Sequence, residues 1–186
     1  MSPSFKKIHD LDELEIKSKK HNEEGKRIVL CHGTFDLIHT GHIRHLQEAK
    51  KQGDLLFATI TADRFVNKGP GRPVFSEVLR AENLSALSCV DFVGIVNSAT
   101  AEQPIIKIKP HIYVKGNEYK NASDDLTGNI TKEKMLVEKF GGEIYFTNDI
   151  TFSSTNLLNE HFGVFSEETR NYISKIGEKH TIKQVI

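Results

Sequence analysis

The chain has 186 residues, 38% of them hydrophobic, and its 25 Lys plus Arg balance 25 Asp plus Glu, leaving no net charge. That length suffices for one α/β domain with a proper core, and a general nucleic-acid or acidic-membrane binder would be more basic. No apolar run is long enough to span a bilayer and no signal-peptide pattern precedes the first strand candidate, so a soluble cytoplasmic protein with neither membrane nor nucleic-acid partners is expected. Cys31 and Cys89 lie in apolar segments without CxxC spacing. They read as free thiols in a reducing compartment, not as a disulfide or a zinc site.

In chain order, residues 10–24 read as a polar helix with Leu11, Leu14 and Ile16 along one side. Strand candidates follow at 28–32, 55–60, 92–96, 112–115 and 144–146. Between them lie helical stretches near 42–51, 76–87, 103–108 and 130–140. Short apolar runs alternating with helices predict an α/β fold, a Rossmann-like and mostly parallel five-stranded sheet covered by helices on both faces. Extra helices are expected at each end, the later one over 167–177. The chain divides into an N-terminal helical extension (1–26), a central domain (27–162) and a C-terminal helical tail or linker (163–186). In such sheets ligands bind beyond the carboxyl ends of the strands, where the strand order reverses.

The most informative segment sits at that end. Residues 33–42 read Gly-Thr-Phe-Asp-Leu-Ile-His-Thr-Gly-His, directly after the apolar Ile28-Val29-Leu30-Cys31. His39 and His42 thus stand where a strand hands over to a helix. A helix start offers unpaired N–H groups and the positive end of a dipole, which suits a phosphate. Gly33 and Gly41 let backbone come close to a ligand. Such an arrangement favours phosphoryl or nucleotidyl transfer, in which positioning and charge stabilisation do most of the work. His45 extends the spacing, but helical residues turn by roughly 100° each, so three histidines at this interval do not converge on one ion. A surface or packing role is expected for His45, and no metal ligand is assigned. His32 could line the pocket or not.

The segment resembles the His-x-Gly-His signature of the cytidylyltransferase-like nucleotidyltransferases, and the resemblance runs from about residue 27 to 158. Within that superfamily the chain is most similar to the heptose 1-phosphate adenylyltransferase and glycerol-3-phosphate cytidylyltransferase groups. The resemblance implies that His39 and His42 stabilise negative charge on a nucleotide α-phosphate while a phosphate oxygen of a second substrate attacks and pyrophosphate leaves. It places Gly33, Thr34, Phe35 and Gly41 on the nucleotide phosphates and Asp36 on the second substrate.

Further along, the loop Asn67-Lys68-Gly69-Pro70-Gly71-Arg72-Pro73 holds two glycines and two prolines, a flexible connection. The resemblance makes Lys68 catalytic, closing over the triphosphate, and puts Arg72 and Arg80 on the second substrate. Asp91 reads equally as a ligand or a strand-start residue. Val114-Lys115-Gly116, followed by Glu118-Tyr119-Lys120, matches the heptose group and sets Lys115 and Gly116 near the nucleoside. Ser153, Ser154 and Thr155 open a last helix, either as caps or as phosphate ligands. Just before them the cytidylyltransferases usually carry arginine and glycine, whereas this chain has Asn148-Asp149-Ile150-Thr151. That departure counts against the cytidylyltransferase branch and towards a non-catalytic domain, and leaves Mg2+, Lys68 or Arg72 to supply the missing positive charge.

The expected reaction joins an NTP, ATP in preference, to a sugar phosphate such as heptose 1-phosphate. The alternatives are CTP with glycerol 3-phosphate or another polyol phosphate, and a non-catalytic nucleotide-binding domain partnering a sugar kinase. The resemblance also implies a homo-oligomer, a dimer in the first instance, and a fused or separate sugar kinase.

Overall fold

Asp10 starts the first long helix with a capping box: its side chain accepts from Glu13 N, and the Glu13 side chain accepts from Asp10 N. The computed structural model describes residues 6–69, 71–117 and 129–147. In order these form β1 (Ile8–His9), α1 (Leu11–Glu23), β2 (Ile28–Gly33), α2 (Thr40–Lys50), β3 (Leu55–Thr61), α3 (Glu77–Ser85), β4 (Phe92–Val96), α4 (Glu102–Ile108), β5 (Ile112–Gly116), α5 (Asn129–Lys139) and β6 (Glu143–Thr147). A 3-10 turn, Asp63–Phe65, follows β3.

Among the described residues the sheet has six strands in the order β1-β4-β3-β2-β5-β6, with every pairing parallel. The expected α/β fold is present, and the expected count of five strands is corrected to six. The added strand is β1, a two-residue edge piece pairing Ile8 with Val93 and His9 with Gly94. Two residues are too few to show a period in sequence.

Alternate residues of each strand serve opposite faces, as the pleat requires. Val29, Cys31, Leu56, Ala58 and Val114 pack with Leu46 and Ala49 of α2 and Ala81 and Leu84 of α3. Ile28, Leu30, Phe57 and Tyr113 pack with Leu14 of α1, Ile105 and Ile108 of α4, and Val137 of α5. Gly94 lets α1 come down on β4, since a Cβ there would stand 2.4 Å from Leu14 Cδ1. Asp91 resolves as a strand-start residue: its Oδ2 accepts from Leu56 N at 2.7 Å and from Lys50 Nζ at 2.5 Å.

From β2 the chain builds outward through β3 and β4, then crosses back to lay β5 on the other side of β2. The order therefore reverses between β2 and β5, and the crevice for a ligand opens beyond Gly33 and Gly116. Among the described residues no helix is long and apolar enough to cross a membrane.

Candidate active site

The turn after β2 is shaped by Phe35. Its backbone lies in the left-handed region (φ 48°), unfavourable for a residue with a Cβ. Burial of its ring offsets that strain. The ring folds back over Gly33, where an added Cβ would sit 3.3 Å from Phe35 Cε2. A side chain at Gly33 would press on the Phe35 ring.

Helix α2 starts at Thr40, two residues earlier than its apolar spacing suggested, because His39 acts as the N-cap. His39 Nδ1 accepts from Gly41 N at 3.1 Å. An imidazole nitrogen that accepts carries no proton, so the proton of neutral His39 sits on Nε2. The His42 ring lies 4.0 Å from that of His39 and 5.4 Å from that of Phe35, centroid to centroid, the latter pair T-shaped. Burial lowers the pKa of His39. Burial, followed by the neighbouring His39 and His45, lowers His42 to about 4, with Lys68 adding to the effect and the Leu37 carbonyl opposing it. Both imidazoles are neutral near pH 7. Lys68, exposed in the Gly/Pro loop, lies within electrostatic reach of His42.

Asp36 is engaged within the protein. Its Oδ1 accepts from Val74 N at 2.7 Å and Phe75 N at 3.3 Å, and its Oδ2 accepts from Arg72 Nε at 2.5 Å. This carboxylate latches the end of the Gly/Pro loop to the turn after β2. Arg72 Nη2 is buried and has no hydrogen-bond partner.

Arg80, expected on substrate phosphate, is fully buried and bonded to protein groups instead. Its Nε donates to Phe75 O at 3.1 Å, Nη1 to Thr34 O, and Nη2 to Thr61 O at 2.7 Å and Asp63 Oδ1 at 2.8 Å. The rigid fork of a guanidinium suits this task. It clamps the backbone leaving β2 to the backbone leaving β3. Arg80 shares the buried side of α3 with Ala81, Leu84 and Ser85, whereas Val78 and Leu79 are exposed.

On the other side of the crevice Lys115 Nζ lies 3.0 Å from Glu133 Oε2. Glu133, only 3% exposed, also accepts from Tyr113 OH at 3.0 Å and Ala101 N at 3.3 Å. Sequence reading missed this residue. The signal was present, since Glu133 interrupts the buried face that Ile130 and Val137 form on α5. His32 is held between Thr59 Oγ1 (2.9 Å) and Thr61 Oγ1 (3.3 Å), and burial with nearby Lys115 lowers its pKa to about 3. His45 Nδ1 meets Thr147 Oγ1 at 2.9 Å, joining α2 to β6.

The fold thus brings Gly33, Thr34, Phe35, His39, Gly41 and His42 together with Lys68, Arg72, Lys115 and Gly116 at the carboxyl ends of β2, β3 and β5. Ser153, Ser154 and Thr155 lie outside the described residues. Among the described residues no group of three or more His, Cys, Asp or Glu could hold a metal, and the carboxylate nearest the motif, Asp36, is committed to Arg72. The described residues therefore offer no carboxylate cluster for Mg2+. A shallow groove of about 640 Å³ lies at the opposite, amino ends of the strands, lined by Lys26, Arg27, His111 and Glu143 among others. An Arg27–Glu143 ion pair spans it at 3.1 Å. None of the motif residues line it.

The cytidylyltransferase-like family matches residues 30–174, more than three quarters of the chain. The chain belongs to the cytidylyltransferase-like family. The bifunctional protein HldE of Pelobacter propionicus is 37% identical over 161 residues, covering 86% of this chain and 32% of that protein. HldE of Hydrogenovibrio crunogenus is 41% identical over 135 residues, 72% of this chain and 27% of that protein. The chain spans about a third of the length of these curated relatives. A lipopolysaccharide core biosynthesis protein from Thermoplasma volcanium superposes with a TM-score of 0.55 at 26% identity, covering 69% of this chain and all of that one. Pantothenate synthetase from Thermus thermophilus superposes at 0.57 with 11% identity, 89% of this chain and 70% of that one, which is a likeness of fold.

Proposed function

We propose that the chain transfers an adenylyl group from ATP to a sugar 1-phosphate of the heptose type. An oxygen of the sugar phosphate attacks the α-phosphorus of ATP. The bond from that phosphorus to the α–β bridging oxygen breaks, and pyrophosphate leaves with the electron pair. The nucleophile is already ionised near neutral pH, so no protein base is needed. The observation that carries this reading is the His39–His42 pair at the start of α2, 4.0 Å apart at the switch point.

In this reading the imidazole N–H groups and the first N–H groups of α2 stabilise charge on the α-phosphate. Lys68 follows the triphosphate from its exposed loop, and Arg72 brings its unspent Nη2 donor to the second substrate. Lys115, braced by Glu133, lies beside the nucleoside. Ser153, Ser154 and Thr155 contribute hydroxyls to the β- and γ-phosphates. Magnesium enters as the counter-ion of the nucleotide, part of the substrate. Asp36 and Arg80 act through the residues they hold. The heptose assignment is supported by Val114-Lys115-Gly116 and Glu118-Tyr119-Lys120 and by the HldE relatives, and a lipopolysaccharide core protein is among the structural neighbours. Those relatives are called bifunctional, and residues 27–162 would supply one activity beside a sugar kinase that makes the phosphorylated substrate.

Pyrophosphate release by the purified chain tests this, with ATP, CTP, GTP and UTP each crossed against heptose 1-phosphate and glycerol 3-phosphate. Turnover with ATP and heptose 1-phosphate, lost in His42→Ala, is expected. Turnover only with CTP and glycerol 3-phosphate would replace the adenylyl reading. Nucleotide binding without turnover would make the chain a binding domain.

A further inference from the structure

The two motif histidines differ in what they can do with one more proton. His39 Nδ1 is already the acceptor for Gly41 N–H, 3.1 Å away. Protonating it would set two donors against each other and cost the helix its cap. His42 Nδ1 is buried and has no hydrogen-bond partner, so a proton added to the pair belongs on the His42 ring. In the protein without ligand that proton is kept off. The titratable groups facing His42 are His39 and His45 on its own helix and Lys68 from the loop after β3. Burial is the largest influence against charge on this ring, and the Phe35 ring packs T-shaped against it at 5.4 Å.

A triphosphate entering at the start of α2 reverses this balance. Several negative charges beside the ring favour the imidazolium over the neutral form, and they neutralise Lys68 at the same time. We propose that nucleotide binding draws a proton from solvent onto His42, so that the pair meets the α-phosphate as a neutral His39 and a cationic His42. This rests on the nucleotide-binding reading above. Charge for the transition state is then supplied only when substrate is present, and the empty site is spared a buried imidazolium next to a lysine. It also supplies a cation that the segment before Ser153 lacks in sequence.

Titration calorimetry on the full chain tests the proposal, with magnesium–ATP and magnesium–CTP in the absence of any acceptor. Binding is measured at pH 7 in buffers of different ionisation enthalpy, and the slope gives the protons exchanged. Uptake approaching one proton per nucleotide is expected, with affinity rising up to about tenfold per pH unit lowered. His42→Gln should bind with that uptake abolished. A slope of zero with binding intact, or the same uptake in His42→Gln, overturns the proposal and leaves the nucleotide reading standing. Absence of binding by either nucleotide overturns both. Nitrogen-15 spectra of histidine-labelled wild-type protein give a second readout free of mutation. On saturation the His42 ring nitrogens should move together to imidazolium shifts while those of His39 stay split, and an unmoved His42 would refute the proposal.

Discussion

Asp36 Oδ2 and Arg72 Nε meet at 2.5 Å with side chains only 1% and 5% exposed. One buried carboxylate, which also takes the N–H groups of Val74 and Phe75, ties the Gly/Pro loop carrying Lys68 to the turn carrying Phe35. Removing one member of a buried pair strands the other charge. Asp36→Ala should lower the free energy of unfolding by about 3–5 kcal/mol, measured by urea denaturation. An unchanged midpoint would mean that the latch does not form.

Arg80 offers a cleaner separation of structure from binding. With its donors spent on Phe75, Thr34, Thr61 and Asp63, Arg80→Lys should cost about 2–3 kcal/mol of stability. The acceptor KM of the folded variant should change little. A large rise in acceptor KM at wild-type stability would place the guanidinium on substrate.

Glu133 and Lys115 should behave as one unit. Glu133→Ala leaves a largely buried lysine beside the Tyr113 ring, and Lys115→Met leaves a buried carboxylate. Each single change is expected to destabilise, and the double variant should recover part of the loss. A coupling energy of about 1–3 kcal/mol in a double-mutant cycle is the expected result. Strict additivity would show that the pair contributes no interaction.

Stability should depend on pH through His32 and His42. Unfolded imidazoles titrate near 6.5, whereas the folded groups lie at about 3 and about 4. Between those limits the unfolded chain binds more protons. Stability is therefore complete above the unfolded pKa and falls as pH drops towards 4, by up to about 1.4 kcal/mol per pH unit for each group. Denaturation midpoints at pH 7 and pH 5 measure this, and His42→Gln should show a smaller drop. An equal drop in that variant would exclude His42 as a contributor.

The alternation of short apolar runs with helical stretches was enough to read the parallel sheet, its two covered faces and the position of the histidine turn. These features depend on local period, which a sequence displays directly. The edge strand β1 was not legible, because two residues carry no period and pair only because α1 places them against β4. The start of α2 was misplaced for a related reason: apolar spacing begins at Ile43, but the helix begins where His39 can cap it.

The strand-to-helix turn that suits phosphate and the resemblance to the family are legible in residues 33–42, whereas the different roles of His39 and His42 emerge only with the His39 cap. What Asp36, Arg80 and Glu133 do was decided only by tertiary structure. Each is a charged residue whose partners come from distant parts of the chain: Arg72 and Val74 for Asp36, Thr34 and Thr61 for Arg80, Lys115 and Ala101 for Glu133. A sequence states the charge that a residue can carry. Only the folded chain shows whether burial has already committed that charge to the protein or left it for a ligand, because an unpaired charge is costly away from water and takes the nearest partner the fold supplies.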